Sequence, residues 1–309
     1  MDDKLDKDKN TGLTPPDSGD TSAYLDDGAA DAQLDFGGLF SNRFTNVRPI
    51  YSSPNGATEI YTATRYGKRF VLKGLKEQYR NDPIYNLALA KEFDIGISLD
   101  HPNIRRTLGL ETVEGIGRVI VLEYVDGTPL DTLLASGDLT VAEARSIATQ
   151  TAGALGYVHA KQVYHRDLKP ANILVAHQGN VVKIIDFNLS DSDEFVILKN
   201  PAGSRRYMAP EQQNLKARPS AVADIYSLGV ILDELAAASG DDGLSAIAAR
   251  CANPDPDRRP QSVDRIKLPA SRPSAMQSLS SFLSSKTLTY VMLCVCAALA
   301  AADVYMLIK

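Results

Sequence analysis

Asp167, Lys169 and Asn172 stand together in the short stretch VYHRDLKPANIL, and Asp186 follows after two apolar runs. This set of an ammonium, an amide oxygen and two carboxylates has specific chemical uses. A positioned carboxylate can accept the proton of a reacting hydroxyl. A carboxylate beside an amide oxygen is a hard donor set suited to Mg²⁺, which prefers one or two carboxylates plus phosphate oxygens to an all-protein cage. An ammonium alongside can stabilise charge on a transferring group. Pro170 closes the loop that carries the first three residues. The runs 173–175 and 181–185 flank Gly179-Asn180, a turn signal, and so predict a β-hairpin. A hairpin returns its outer ends to one place, which sets Asp186 beside Asn172 and Asp167.

In order, the residues read His165-Arg166-Asp167-Leu168-Lys169-Pro170-Ala171-Asn172, then Asp186-Phe187-Asn188. This resembles the protein kinase family, whose signature is H-R-D-L-x-x-x-N followed by D-F-G. The resemblance implies an α+β, bilobal protein-kinase-like fold, with a small β-rich N-lobe and a larger, mostly helical C-lobe. It implies ATP and Mg²⁺ as cofactors and a protein as substrate. Asp167 would accept the substrate hydroxyl proton and Lys169 would stabilise the phosphoryl group, while Asn172 and Asp186 hold the metal. Lys169 also implies serine or threonine acceptors. His165 takes a packing role in this pattern, and His101, His159 and His177 read as structural or exposed.

The elements before this loop are mostly strand. Runs at 50–51, 59–64 and 69–73 are split by Pro54-Asn55-Gly56 and by Tyr66-Gly67-Lys68. By resemblance they form the N-lobe sheet, with Lys73 on the ATP phosphates. Its implied partner is Glu92, on a helical segment at 84–99. The segment aligned with the glycine-rich phosphate loop is 52–59, in which Gly56 is the only glycine. Ser53 and Gly56 are the residues assigned to the phosphates there. Asn188, in place of the usual glycine after Asp186-Phe187, is a second departure. Asparagine tolerates left-handed backbone better than most residues.

The buried-strand pattern 119–125 leads into Asp126-Gly127. The resemblance makes it the hinge: Leu122 is the gatekeeper, and the Glu123 carbonyl and Val125 N–H hold the adenine edge. Leu174 joins them as a nucleotide contact. Helical periodicity follows at 130–135 and 141–161, with Thr140 as N-cap and Glu143 three residues on. Further on, Asp224 would accept hydrogen bonds from the catalytic-loop backbone, and Arg259 would pair with Glu211. Only about twenty residues separate the Asp224 helix from the Arg259 motif, fewer than the family commonly spends on substrate-docking helices. In the activation segment, Ser190, Ser192 and Ser204 are candidate phosphosites, with Arg166 as phosphate partner. Alternatively, Asp191, Asp193 and Glu194 supply standing negative charge.

Composition bounds these readings. A chain of 309 residues is long enough for two lobes around a cleft. A net charge of −5 argues against a nucleic-acid partner bound by phosphate neutralisation. Cys251, Cys294 and Cys296 offer neither a disulfide framework nor zinc spacing, which favours a reducing, cytosolic setting. Residues 1–38 are acidic and poor in apolar side chains, the composition of a disordered arm rather than a signal peptide.

The domain organisation expected is thus an arm at 1–38, N-lobe and hinge at 39–125 and C-lobe at 126–268. A Ser/Pro-rich linker follows at 269–286, then a single membrane-spanning helix at 287–308. That last run holds one charge, Asp303, and at 1.5 Å per residue is long enough for a hydrocarbon layer of roughly 30 Å. Lys267, Arg272 and Lys286 precede it and favour a cytoplasmic kinase domain. A buried helix of the soluble domain is the alternative. The small pairs Ala297/Ala301 and Ala298/Ala302 are compatible with self-association of that helix, and equally with an alanine-rich lipid face. Three other functions remain open: a pseudokinase scaffold using the same cleft, a small-molecule phosphotransferase sharing the Asp…Asn…Asp core, and a membrane-anchored interaction module using the acidic arm.

Overall fold

The computed structural model describes residues 43–54, 56–186, 205–213 and 220–270. Its first half is a five-stranded antiparallel sheet in the order β1-β2-β3-β5-β4. The strands are β1 (Thr45–Ser52), β2 (Thr58–Arg65), β3 (Lys68–Leu75), β4 (Thr107–Val113) and β5 (Gly117–Glu123). Side chains alternate across β3, so its two faces enter different clusters. Leu72 packs with Tyr61, Ala63, Val119 and Val121 on one face. Val71 and Leu75 pack with Ile120, Leu122 and Leu89 on the other. Lys73, between Val71 and Leu75, therefore faces the same side as Leu89, which belongs to helix α1 (Pro83–Ser98). The start of α1 is fixed by Asp82, whose carboxylate accepts from Ile84 N at 2.8 Å, and by Pro83 at the first position.

The strand expected at 119–125 stops at Glu123. Phe70 opposite Glu123 is the last pair of the β3–β5 ladder, and Gly127 opens β6 (Gly127–Pro129) in a second sheet. Residues 124–126 cross between two sheets and cannot belong to either ladder. The second sheet has the order β6-β7-β8, with β7 at Ile173–Ala176 and β8 at Val182–Ile184. Gly179 and Asn180 both have positive φ (77° and 50°), and Ala176 N donates to Val181 O at 2.9 Å, closing the expected hairpin.

The second half is helical: α2 (Leu130–Ser136), α3 (Val141–Ala160), α4 (Ala221–Ser239) and α5 (Asp242–Cys251). Thr140 and Glu143 form the reciprocal capping box that begins α3. Leu155, Val158, Leu168, Ile173, Ile225, Leu228 and Ile231 share one buried cluster, so α3, α4 and the hairpin form a single core beneath the cleft. Among the described residues no helix is long and apolar enough to cross a membrane. The span expected at 287–308, the linker from 271 onward, the arm at 1–38 and the segment 187–204 lie outside them.

Candidate active site

The loop between α3 and β7 is held from below by one buried carboxylate. Asp224, 1% exposed on α4, accepts from His165 N and Arg166 N, each at 2.8 Å, and lies 2.8 Å from His159 Nε2. Arg166 adopts φ 65°, a left-handed conformation uncommon for a non-glycine residue. His165 is fully buried, and burial lowers its pKa, so the ring is neutral at neutral pH. Its Nε2 lies 3.2 Å from Ile185 O. The packing role implied for His165 and the anchoring role implied for Asp224 are the arrangement found.

Above this support the chemically active groups converge. Lys169 Nζ donates to Asp167 Oδ2 at 2.6 Å. Asn172 Nδ2 donates to Asp167 O at 2.8 Å, which leaves the amide oxygen of Asn172 for other use. The hairpin closes as its turn predicts: Ile185 N donates to Asn172 O at 2.9 Å, which brings Asp186 back to the loop. Asp186 also has φ 61°, so two residues of this site occupy sparsely populated backbone.

The sheet supplies the opposite wall. Lys73, only 6% exposed, donates to Glu92 Oε1 at 2.5 Å and also bonds Asp186 Oδ1. The Lys73–Glu92 pair joins β3 to α1, and Lys73–Asp186 joins the two lobes. The direct contact with Asp186 was not legible in the sequence, because it spans 113 positions. Burial by itself would raise the Asp186 pKa, but Lys73, then Arg105 and His165, overcome it and bring it to about 2. Burial raises Glu92, partly offset by Lys73. Burial opposes the charge on Lys73, yet its two carboxylate partners outweigh burial and raise its pKa.

The structure places the remaining residues expected at the nucleotide as follows. Leu122, 5% exposed, packs with Val71 and Ile120 beneath the sheet. Glu123 accepts from Lys183 Nζ at 3.0 Å, tying the end of β5 to the hairpin. Val125 is partly buried in the crossing segment. Ile173 and Val175 point into the lower core, so Leu174 between them faces the other side, in register with Pro129 and Lys183. Ser53 N donates to Thr58 O at 3.0 Å, closing the turn that contains Gly56. Lys76, which sequence reasoning passed over, grips that turn through Nζ to Ser53 O and through its own N–H to Ala57 O. Arg105, also passed over, lines a small cavity with Glu92 and Asp186. Beyond the cleft, Arg259 makes the expected two-pronged pair with Glu211, at 2.7 and 2.8 Å.

Comparison with known proteins agrees with this geometry. A model of the protein kinase domain matches residues 55–240. The chain belongs to the protein kinase family. Among its relatives, the serine/threonine-protein kinase PrkC of Bacillus subtilis is 32% identical over 252 residues, covering 76% of this chain and 38% of that one. The serine/threonine-protein kinase PknA of Mycobacterium tuberculosis is 31% identical over 243 residues, covering 75% of this chain and 56% of that one. The chain thus spans about half or less of the length of these two relatives. The crystal structure of the Mycobacterium tuberculosis PknI kinase domain superposes with a TM-score of 0.56 at 24% identity. It covers 74% of this chain and 95% of that domain, a likeness of fold. The bilobal protein kinase fold expected from the sequence is therefore the fold of this chain.

Proposed function

We propose that this protein kinase transfers the γ-phosphoryl group of ATP to serine or threonine hydroxyls of proteins, and that it works from a membrane anchor. The observation that carries the catalytic half is the bridge of Lys73 to both Glu92 and Asp186, directly above Asp167, Lys169 and Asn172. The donors suit Mg²⁺. Asn172 and Asp186 offer hard oxygens, and among the described residues no cluster of three or more His, Cys, Asp or Glu could cage a metal alone.

Bound there, Mg²⁺ would neutralise charge on the nucleotide phosphates. Lys73, fixed by Glu92, orients the phosphates from the sheet side. Asp167 accepts the proton of the incoming hydroxyl, and Lys169, held 2.6 Å from it, faces the charge that builds on the phosphoryl oxygens. Leu122 as gatekeeper, Leu174, the Glu123 carbonyl and the Val125 N–H would hold the adenine, and Ser53 and Gly56 would cover the phosphates. Rate acceleration then comes from positioning and fixed charge.

The anchor reading rests on the composition of 287–308, and the preceding Lys267, Arg272 and Lys286 orient the kinase domain to the cytoplasm. Tethering would concentrate neighbours and favour self-association and phosphorylation between copies.

Two measurements test the proposal. Incubating the full chain with labelled ATP, Mg²⁺ and a basic protein should yield phosphoserine or phosphothreonine after acid hydrolysis. Unlabelled protein, or label on tyrosine alone, contradicts the activity. Carbonate washing of membranes should leave the full chain in the pellet and release a chain lacking 287–309. Release of both contradicts the anchor.

A further inference from the structure

Among the described residues, Arg105 is a cation of the cleft to which phosphoryl positioning gives no part. Residues 103–105 run beside β8: Ile184 N donates to Asn103 O at 2.8 Å, and Arg105 N donates to Ile184 O at 3.0 Å. Ile104 pairs with Ile184 in a parallel bridge and is 2% exposed in the lower core. In an extended segment the next side chain takes the opposite face, and Arg105 lines a small cavity with Glu92, Gly96, Thr107, Leu122 and Asp186. Helix α1 lies close here, since a Cβ on Gly96 would come 2.4 Å from Thr107 Oγ1.

Among the described residues the Arg105 guanidinium has no direct hydrogen-bond or ion-pair partner. Burial lowers its pKa while Asp186, Glu92 and Glu123 raise it, and a guanidinium keeps its charge in proteins. Among the described residues four cations, Lys73, Arg105, Lys169 and Lys183, thus face four anions, Glu92, Asp167, Asp186 and Glu123, and these charges balance. A dication entering such a site meets no net negative charge until nucleotide phosphates supply it.

We propose that Arg105 is a positioning residue whose fixed charge, set behind Asp186 and Glu92, makes metal uptake conditional on nucleotide. The inference rests on the kinase reading of the site, but its test does not depend on phosphoryl transfer. Mn²⁺ serves as the probe, and its binding to the full chain without nucleotide is followed by loss of the free-ion paramagnetic signal. Arg105→Leu, and the nearer match in shape Arg105→Gln, should bind Mn²⁺ about fivefold or more tightly than the wild type. That is the order expected when a unit charge a few ångströms from a dication is removed. Arg105→Lys should resemble the wild type, because the charge remains.

No gain in either neutral variant overturns the proposal, as does a lysine variant that behaves like the glutamine one. A separate arm tests the underlying site: Mn²⁺ should strengthen binding of a fluorescent ATP analogue to the wild type and not to Asp186→Ala. Failure of that arm sinks the site reading itself. Success there, with no change on neutralising Arg105, sinks only the inference about Arg105.

Discussion

Asp167 carries the sharpest consequence of the geometry, because it is held on both sides without being consumed by either contact. Lys169 reaches one of its oxygens and Asn172 its backbone carbonyl. Asp167→Asn keeps the shape and removes the base, so steady-state kcat should fall on the order of 10²- to 10⁴-fold while ATP affinity stays near wild type. A carboxylate far from the cleft gives a pH signature. Asp241, 5% exposed, receives Arg145 through two bonds of 2.6 and 3.0 Å, and these hold its pKa below the ordinary 3.8. The depressed pKa means its contribution to stability is present above 3.8 and is lost as pH falls through the lowered value. Urea midpoints of wild type and Asp241→Asn should therefore converge as pH drops below about 4. At this scale the residues of the two signature motifs were legible because their spacing is diagnostic. Arg105 was not. After Ile104 it reads as a surface charge, and only the backbone bond to Ile184 turns it inward.

Elements answer to shorter-range rules. Thr140 accepts from Glu143 N, and Glu143 Oε2 accepts from Thr140 N at 3.1 Å, so Thr140→Ala should cost about 1 kcal/mol in chemical denaturation. Gly96 is more consequential for activity. A methyl group there meets the stiff, β-branched Thr107, so α1 must shift, and Glu92 shifts with it. Gly96→Ala should cost about 1–3 kcal/mol and should raise the ATP KM more than a cap variant of equal stability. The β7–β8 hairpin, α1, α3 and strands β1, β2, β3 and β5 were legible from turn residues, caps and apolar runs, whereas β4, Thr107–Val113, was not read as a strand. Strand β6 was not, because Gly127-Thr128-Pro129 has no strand character of its own and is ordered by the neighbouring β7. The end of β5 at Glu123 was missed for a related reason: the apolar run continues through Val125, while the ladder ends where the chain leaves for another sheet.

At the scale of the molecule, three polar links hold the parts in register: Lys73–Asp186 across the cleft, Lys183–Glu123 at its back, and Arg259–Glu211 at the base. The Arg259 side chain is fully buried and also donates to Val222 O, Asn253 O and Pro254 O. Arg259→Ala leaves Glu211 and three carbonyls without that donor and should destabilise the chain by about 3–5 kcal/mol in urea unfolding. Two lobes and their order were legible because the motifs recur in sequence, and their closeness depends on long-range pairs that no local pattern encodes. The central claim is that Lys73, Glu92, Asp186, Asn172 and Asp167 form one phosphoryl-transfer site. It is tested most directly by single-turnover transfer of labelled γ-phosphoryl from ATP, with the purified full chain beside Asp186→Ala at saturating Mg²⁺. Label moving to serine or threonine with the wild type and not with the variant is the predicted result; equal labelling by both, or by neither, would contradict it.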